Sequence, residues 1–211
     1  TTPTVAEFPN KRDLTILAVM IALFAAISAV LLRHYFDQTI HDDFDTESQL
    51  GIPLYARIPD DRGADKARDE AFGHLAVLMR ILDQKTVKGG IKKAQVITMG
   101  SASTGDGKTH IARALAAKLS ELGANVILID ADLHDPAAFG GQGERGDLTT
   151  VLAGDCALDQ AICAVDGMHY LGARMAVPGQ IATGLIESRL EEIVTKLRAQ
   201  FDHIIIDTPP V

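Results

Sequence analysis

Between Ala102 and Thr109 the chain reads ASTGDGKT, and the residue types in this stretch suit phosphate chemistry. Glycines at 105 and 107 let the backbone curl so that successive N–H groups face one anion. Lys108 can reach the outer phosphates of a nucleoside triphosphate, and the Thr109 hydroxyl can bind Mg²⁺. The apolar-periodic stretch from Lys108 to Leu122 predicts a helix, whose N-terminal dipole end adds to the pull on phosphate. One position departs from the pattern G-x-x-x-x-G-K-[ST]: Ala102 stands where the opening glycine belongs. An alanine adds only a methyl group there and is strained only if the backbone requires positive φ. A Gly-Lys-Thr at a helix start also arises by chance, so the loop needs support from elsewhere in the chain.

Two acidic strand ends supply it. In VILIDAD, Asp130 and Asp132 close an apolar run, and in HIIIDTPP Asp207 closes another in the manner of a Walker B carboxylate. Open parallel sheets bind ligands at the carboxyl ends of their strands. Each acid alone fits a strand-end cap or a solvated turn. Together with the loop they converge on one edge of a sheet, as a nucleotide–Mg²⁺ site requires.

The elements that must position these residues follow from periodicity. AQVITMG (94–100) and NVILID (125–130) are predicted strands, and Gly123 stops the helix between them. Residues 69–85 carry Phe72, Leu75, Met79 and Leu82 on one helical face. Residues 147–165 read as helical with a break at Gly154, and 168–179 hold one short strand. Residues 186–200 form an amphipathic helix with Leu190, Ile193, Val194 and Leu197 inward, and a strand closes the chain at Asp207. Strands alternating with helices imply an α/β fold of P-loop NTPase type, a parallel sheet with helices on both faces.

Hydrophobic residues make up 47% of the 211, ample for a core, but one segment inflates the figure. Leu14 to Leu32 carries no charge, and its polar members are Thr15 and Ser28. At about 1.5 Å per residue it covers roughly the 30 Å hydrocarbon core of a bilayer. A secretory signal has a shorter apolar region, about 7–15 residues, and a cleavage site soon after. Here Arg33-His34-Tyr35-Phe36 follow, which suit an interfacial anchor. The expected organisation is a stub over 1–13, a transmembrane helix over 14–32, a linker over 33–66, and a P-loop domain over 67–211. A net charge of −8 without a basic patch argues against nucleic-acid partners. Cys156 and Cys163 lie seven positions apart, where a helix would put them on one face, and read as reduced core thiols.

ASTGDGKT, VILIDADLHDP and FDHIIIDTPP together resemble the bacterial tyrosine autokinases of the polysaccharide co-polymerase family. Those proteins open the loop with Ala or Ser, carry a DxDxR second motif and end the Walker B strand in D-[ST]-P-P. The septum-site branch of the same superfamily carries an extra lysine early in the loop, where Ser103 and Thr104 stand here. The resemblance covers nearly the whole chain, including the apolar span, TESQLGIPLYARIPD and GDLTTVLAGDCALDQAI. It implies a fragment cut at both ends, with a first span and periplasmic domain upstream. Downstream it implies further strands and a tyrosine-rich tail.

The resemblance also implies roles. Ser103, Thr104, Gly105, Asp106, Gly107, Lys108, Thr109 and His110 would bind ATP. Thr109, Asp130 and Asp207 would hold Mg²⁺, and Lys108, Asp130 and Asp132 would be catalytic, one acid accepting the proton of the attacking hydroxyl. Implied partners are further copies of the chain, the polysaccharide polymerisation and export machinery, and a tyrosine phosphatase. The expected location is the bacterial inner membrane with residues 33–211 cytoplasmic, because ATP is cytosolic. Lys11-Arg12 and Arg33 flank the span too evenly for charge to set its orientation.

Three departures stand out. His134 replaces the arginine of DxDxR, and Gly73 and Ala76 replace both arginines of the ExxRxxR motif that begins at Glu70. The chain's three tyrosines, Tyr35, Tyr55 and Tyr170, form no cluster. A regulatory ATPase that phosphorylates no tyrosine, and a structural co-polymerase subunit, therefore stand as alternatives.

Overall fold

The computed structural model describes residues 11–36, 51–59, 64–86, 94–136 and 146–210. Most of the expected stub and much of the expected linker lie outside these residues. The chain divides into a first unit, residues 1–54, and a second, residues 55–211.

In the first unit one helix, α1 (Lys11–Phe36), contains the uncharged segment. It is long and apolar enough to cross a bilayer, and its large side chains from Leu14 to Leu32 face outward. Thr15 keeps its hydroxyl satisfied within the helix by donating to the Lys11 carbonyl at 2.8 Å.

The second unit begins its regular structure with helix α2 (Asp65–Thr86) and strand β1 (Gln95–Met99). Helix α3 (Lys108–Glu121) and strand β2 (Val126–Asp130) follow. Two short helices, α4 (Leu148–Ala153) and α5 (Leu158–Ala161), precede strands β3 (Cys163–Val165) and β4 (Met168–Leu171). Helix α6 (Gly179–Leu197) leads to strand β5 (His203–Asp207). The sheet order is β1-β5-β2-β4-β3. The pairs β1–β5, β5–β2 and β2–β4 are parallel, and β3–β4 is antiparallel.

β2 and β5 are buried at every position, as central strands covered on both faces must be. Side chains alternate between two cores. Ile127, Ile129, Ile204 and Ile206 pack with Leu148, Leu152, Ile193 and Leu197 of α4 and α6. Val126, Leu128 and Ile205 pack with Ala112, Leu115, Ala116 and Leu119 of α3 and Ala76 of α2. Each fully buried leucine contributes about 1.5–3 kcal/mol. The α/β expectation therefore holds, with helices on both faces. Phe72 is buried and Leu75 and Met79 are partly buried on α2, which matches the expected helical face. Lys118 ties α2 to α3 through Asp69 at 2.7 Å, and Arg80 donates to the Leu122 carbonyl at 3.0 Å.

Three expectations are corrected. The helical reading of 147–165 fails at its end, because Cys163–Val165 is a strand. Asp166 and Gly167 both take positive φ (50° and 78°), a tight turn that folds β3 back onto β4. An Asp-Gly pair between apolar residues was the signal for that hairpin, and it gives the otherwise parallel sheet an antiparallel edge. Consequently Cys156 and Cys163 share no helix, although neither forms a disulfide among the described residues and both are partly buried. Helix α6 also starts earlier than expected, at Gly179, because Ala182 is buried and its packing outweighs the weak propensity of Gly179 and Gly184.

Asp147 fastens the start of α4. Its Oδ1 accepts from the Thr150 N–H at 2.9 Å while the Thr150 hydroxyl accepts from the Asp147 N–H at 2.9 Å. Its Oδ2 accepts from the Arg174 N–H at 3.1 Å. Burial pushes the Asp147 carboxyl up, but the donors of Thr149, Thr150 and Arg174 outweigh it and hold it below the ordinary 3.8. A lowered carboxyl adds stability above its ordinary value and loses that contribution as pH falls through the folded value. Asp147→Ala is therefore expected to cost about 1–2 kcal/mol at neutral pH. In thermal unfolding the gap to the parent should narrow below pH 3.8.

Candidate nucleotide site

The loop from Gly100 to Gly107 leaves the carboxyl end of β1 and delivers the chain into α3. Gly105 and Gly107 take φ of 87° and 83°, and a Cβ at either would meet no atom within 4 Å. Backbone conformation, not crowding, is what requires glycine at both. Ala102 needs no such conformation, since Asp166 is the one non-glycine with positive φ among the described residues. The substitution at the loop's opening is thus unstrained. Inside the loop the Ser103 N–H donates to Asp106 Oδ2 at 2.9 Å, and the Ser101 hydroxyl to the Ser103 carbonyl at 2.8 Å.

The parallel register sets the acids. Asp130 of β2 lies opposite Asp207 of β5, which in turn lies opposite Met99 of β1. Past the strand ends the Ala131 N–H donates to the Asp207 carbonyl at 2.8 Å, and the Thr208 hydroxyl to the Met99 carbonyl at 2.7 Å. These bonds lock the rim of the sheet where the loop emerges.

Thr109, in the first turn of α3, donates its hydroxyl to Asp207 Oδ2 at 2.5 Å. Asp207 is 1% exposed, and its other oxygen, Oδ1, is buried without a partner among the described residues. Burial raises the Asp207 carboxyl; the Thr109 hydrogen bond and the Lys108 ammonium oppose this, and the Asp132 charge adds to it. Lys108 has no ion-pair partner among the described residues, which leaves its ammonium available to a ligand.

Asp130 is equally buried, at 1% exposure. Its Oδ1 accepts the Asp132 N–H and its Oδ2 the Tyr170 hydroxyl, both at 3.2 Å. Asp132 is more open, with 18% of its side chain exposed. Its Oδ1 accepts the N–H groups of His134 and Asp135 at 3.3 and 3.4 Å. His134 Nδ1 lies 3.7 Å from the same oxygen, and a Cβ on Gly179 would stand 3.0 Å from His134 Nε2. His110 is exposed, stands edge-on to Phe72 with ring centroids 6.3 Å apart, and borders a cavity of about 390 Å³. That cavity is lined by Ile58, Pro59, Arg68, Gly105 to Gly107, His110 and Ile111.

No group of three or more His, Cys, Asp or Glu suits a metal among the described residues. The fit to Mg²⁺ rests instead on Asp207 Oδ1, an orphaned buried acceptor, beside the Thr109 hydroxyl. Mg²⁺ commonly takes one or two carboxylates and completes its shell with phosphate oxygens and water, so this donor pair fits. The fold thus brings together Lys108, Thr109, Asp130, Asp132 and Asp207. Tyr170, whose hydroxyl bonds to Asp130, is a residue that the sequence reading missed. Its spacing from Asp130 carries no signal, because only the β2–β4 pairing makes them neighbours.

A protein-family model described as an AAA domain matches residues 94–211. The tyrosine-protein kinase wzc of Salmonella typhi is 28% identical over 96% of this chain and 31% of its own length. The tyrosine-protein kinase ptk of Acinetobacter johnsonii is 26% identical over 96% of this chain and 30% of its own. The chain therefore spans under a third of these relatives, as the shares of 31% and 30% state. Among solved structures, the kinase domain of Escherichia coli tyrosine kinase ETK superposes with a TM-score of 0.66. Identity to it is 24%, over 79% of this chain and 72% of that one, and it attests the fold. The VpsO kinase domain is 28% identical, with a TM-score of 0.53 over 71% of this chain and 73% of that one.

Asp207→Asn tests the buried charge. A raised carboxyl costs folding stability as pH climbs above its ordinary 3.8, while asparagine removes the titrating group and keeps an oxygen for the Thr109 hydroxyl. Without nucleotide, the variant is expected to melt above the parent at pH 7 in a calorimetric scan. A lower midpoint would contradict the cost assigned to burial.

Proposed function

This chain belongs to the AAA-domain family, and on that premise we propose that it is the membrane-anchored catalytic part of an ATP-dependent protein-tyrosine autokinase. The observation that carries the reading is the Thr109–Asp207 hydrogen bond, which leaves Asp207 Oδ1 open beside Lys108 and Asp130. Its relatives' names, tyrosine-protein kinases throughout those cited, support the same class. One relative is named for a cps region, and with the family resemblance this supports a role in polymerisation and export of capsular or extracellular polysaccharide. The proposed setting is the bacterial inner membrane, with the catalytic unit cytoplasmic, further copies of the chain as neighbours and a tyrosine phosphatase as antagonist.

Residues 103–110 would line the phosphates of ATP, those after Ser103 through their backbone N–H groups, and Lys108 would pair with the outer phosphates. Thr109 and Asp207 would hold Mg²⁺, with Asp130 beside them. Bound Mg²⁺ would supply charge neutralisation along the phosphate chain. A tyrosine oxygen attacks the γ-phosphorus in line, the bond to the β–γ bridging oxygen breaks, and ADP departs. Asp132, the most exposed of the three acids, takes the tyrosine proton. Catalysis of this kind depends chiefly on positioning and charge.

A second reading, a regulatory ATPase that phosphorylates no tyrosine, is favoured by specific residues. Gly73, Ala76 and His134 stand where the resemblance expects arginines, and Ala76 is fully buried against α3, where an arginine has no room. Incubation with ATP and Mg²⁺ followed by phosphotyrosine detection separates the readings. The kinase reading expects a signal that Lys108→Met reduces by roughly a hundredfold or more, as loss of a phosphate-clamping charge implies. ATP hydrolysis without phosphotyrosine would favour the ATPase reading. Protease protection in sealed inverted vesicles should leave residues 55–211 accessible, and their protection would overturn the cytoplasmic assignment.

A further inference from the structure

We infer that Tyr170 is a positioning residue of the phosphate site, aiming the Asp130 carboxylate through a gap that Gly172 leaves open. The inference rests on the nucleotide reading above and deepens it. Tyr170 is 4% exposed on β4, opposite Leu128 in the β2–β4 register, and its hydroxyl donates to Asp130 Oδ2 at 3.2 Å. Packing alone does not call for that hydroxyl, since a phenylalanine ring would fill the same core among Ala112, Leu115 and Leu128. A carboxylate that is 1% exposed does call for donors, because burying a charge without hydrogen bonds is costly.

Gly172 is an independent sign of the same arrangement. A Cβ built there would overlap the Tyr170 hydroxyl and ring, so the position must be empty for the hydroxyl to reach Asp130. Gly172 has no positive φ, and conformation therefore does not explain the glycine. Space does.

The strand that carries Tyr170 is held against the phosphate-loop helix. Arg113 of α3 pairs with Asp166 in the β3–β4 turn, and the Ser120 hydroxyl donates to the Gly167 carbonyl at 2.7 Å. Thr109 at the head of α3 grips Asp207, while Tyr170 of β4 grips Asp130. Two neighbouring carboxylates are thus oriented by two hydroxyls from elements that are themselves tied together. Tyr170 is consequently no phosphate acceptor for a neighbouring copy, because its hydroxyl is turned inward and engaged.

The test compares Mg²⁺-dependent and Mg²⁺-independent binding of fluorescent ADP by the full chain in detergent micelles. In Tyr170→Phe the ADP affinity without Mg²⁺ should stay within about twofold of the parent. The Mg²⁺ concentration for half-maximal tightening should rise roughly tenfold, the equivalent of one charge-assisted hydrogen bond. Gly172→Ala, which keeps the hydroxyl but displaces it, should shift the Mg²⁺ dependence the same way. Circular dichroism checks that both variants fold; a packing role alone would lower the melting midpoint without separating the two affinities. An unchanged Mg²⁺ titration in folded Tyr170→Phe would overturn the positioning role and leave the nucleotide reading intact. If the parent itself bound ADP without any Mg²⁺ effect, the nucleotide–Mg²⁺ reading would fail and take this inference with it.

Discussion

The parallel pairing of β2 with β5 puts Asp130 directly opposite Asp207, and the rest of the site is arranged around that juxtaposition. Two carboxyl groups at adjacent strand ends resist burial, yet each is 1% exposed. The apolar strand bodies outweigh this cost. Val126 to Ile129 and Ile204 to Ile206 are buried on both faces, so the register cannot slip without moving a full set of aliphatic side chains out of the core. The hydrophobic sheet thus supplies the stability that holds two buried carboxyl groups in place.

The acids are held by different means. Asp207 accepts one hydroxyl, and its other oxygen is buried without a partner among the described residues. Asp130 has both oxygens engaged, by the Asp132 N–H and the Tyr170 hydroxyl, which suits a fixed charge. Asp132 lies beyond the strand end, is more exposed, and accepts the N–H groups of His134 and Asp135. Three aspartates of identical chemistry thus differ in depth and in their donors.

The helices on one face make this arrangement rigid. α3 begins at the phosphate loop, carries Thr109 in its first turn, and buries Ala112, Leu115, Ala116 and Leu119 in the core. α2 packs Ala76 against it and ties it through Asp69 and Lys118. The α2 surface on which the family resemblance expects arginines is here glycine and a buried alanine, so the helix serves its own unit's packing first. Whether it also serves contacts between copies is a separate property from the integrity of the phosphate site.

Much of this was legible in the sequence, because local chemistry dictated it. Glycines at 105 and 107 announce a curled loop, since their φ of 87° and 83° is costly for other residues. The aliphatic runs ending in Asp130 and Asp207 announce buried strands with charged ends. The uncharged segment from Leu14 to Leu32 announces a helix suited to a bilayer. The edge hairpin was legible too, through Asp166-Gly167, although the helical pattern around it masked the signal. What the tertiary structure alone decided concerns partners distant in sequence. That Ala102 is unstrained depends on the path the loop takes. That Thr109 reaches Asp207, and Tyr170 reaches Asp130 past Gly172, depends on strand order and register. A residue's type and spacing state what it can do; which neighbour it does it with is set only when the sheet assembles.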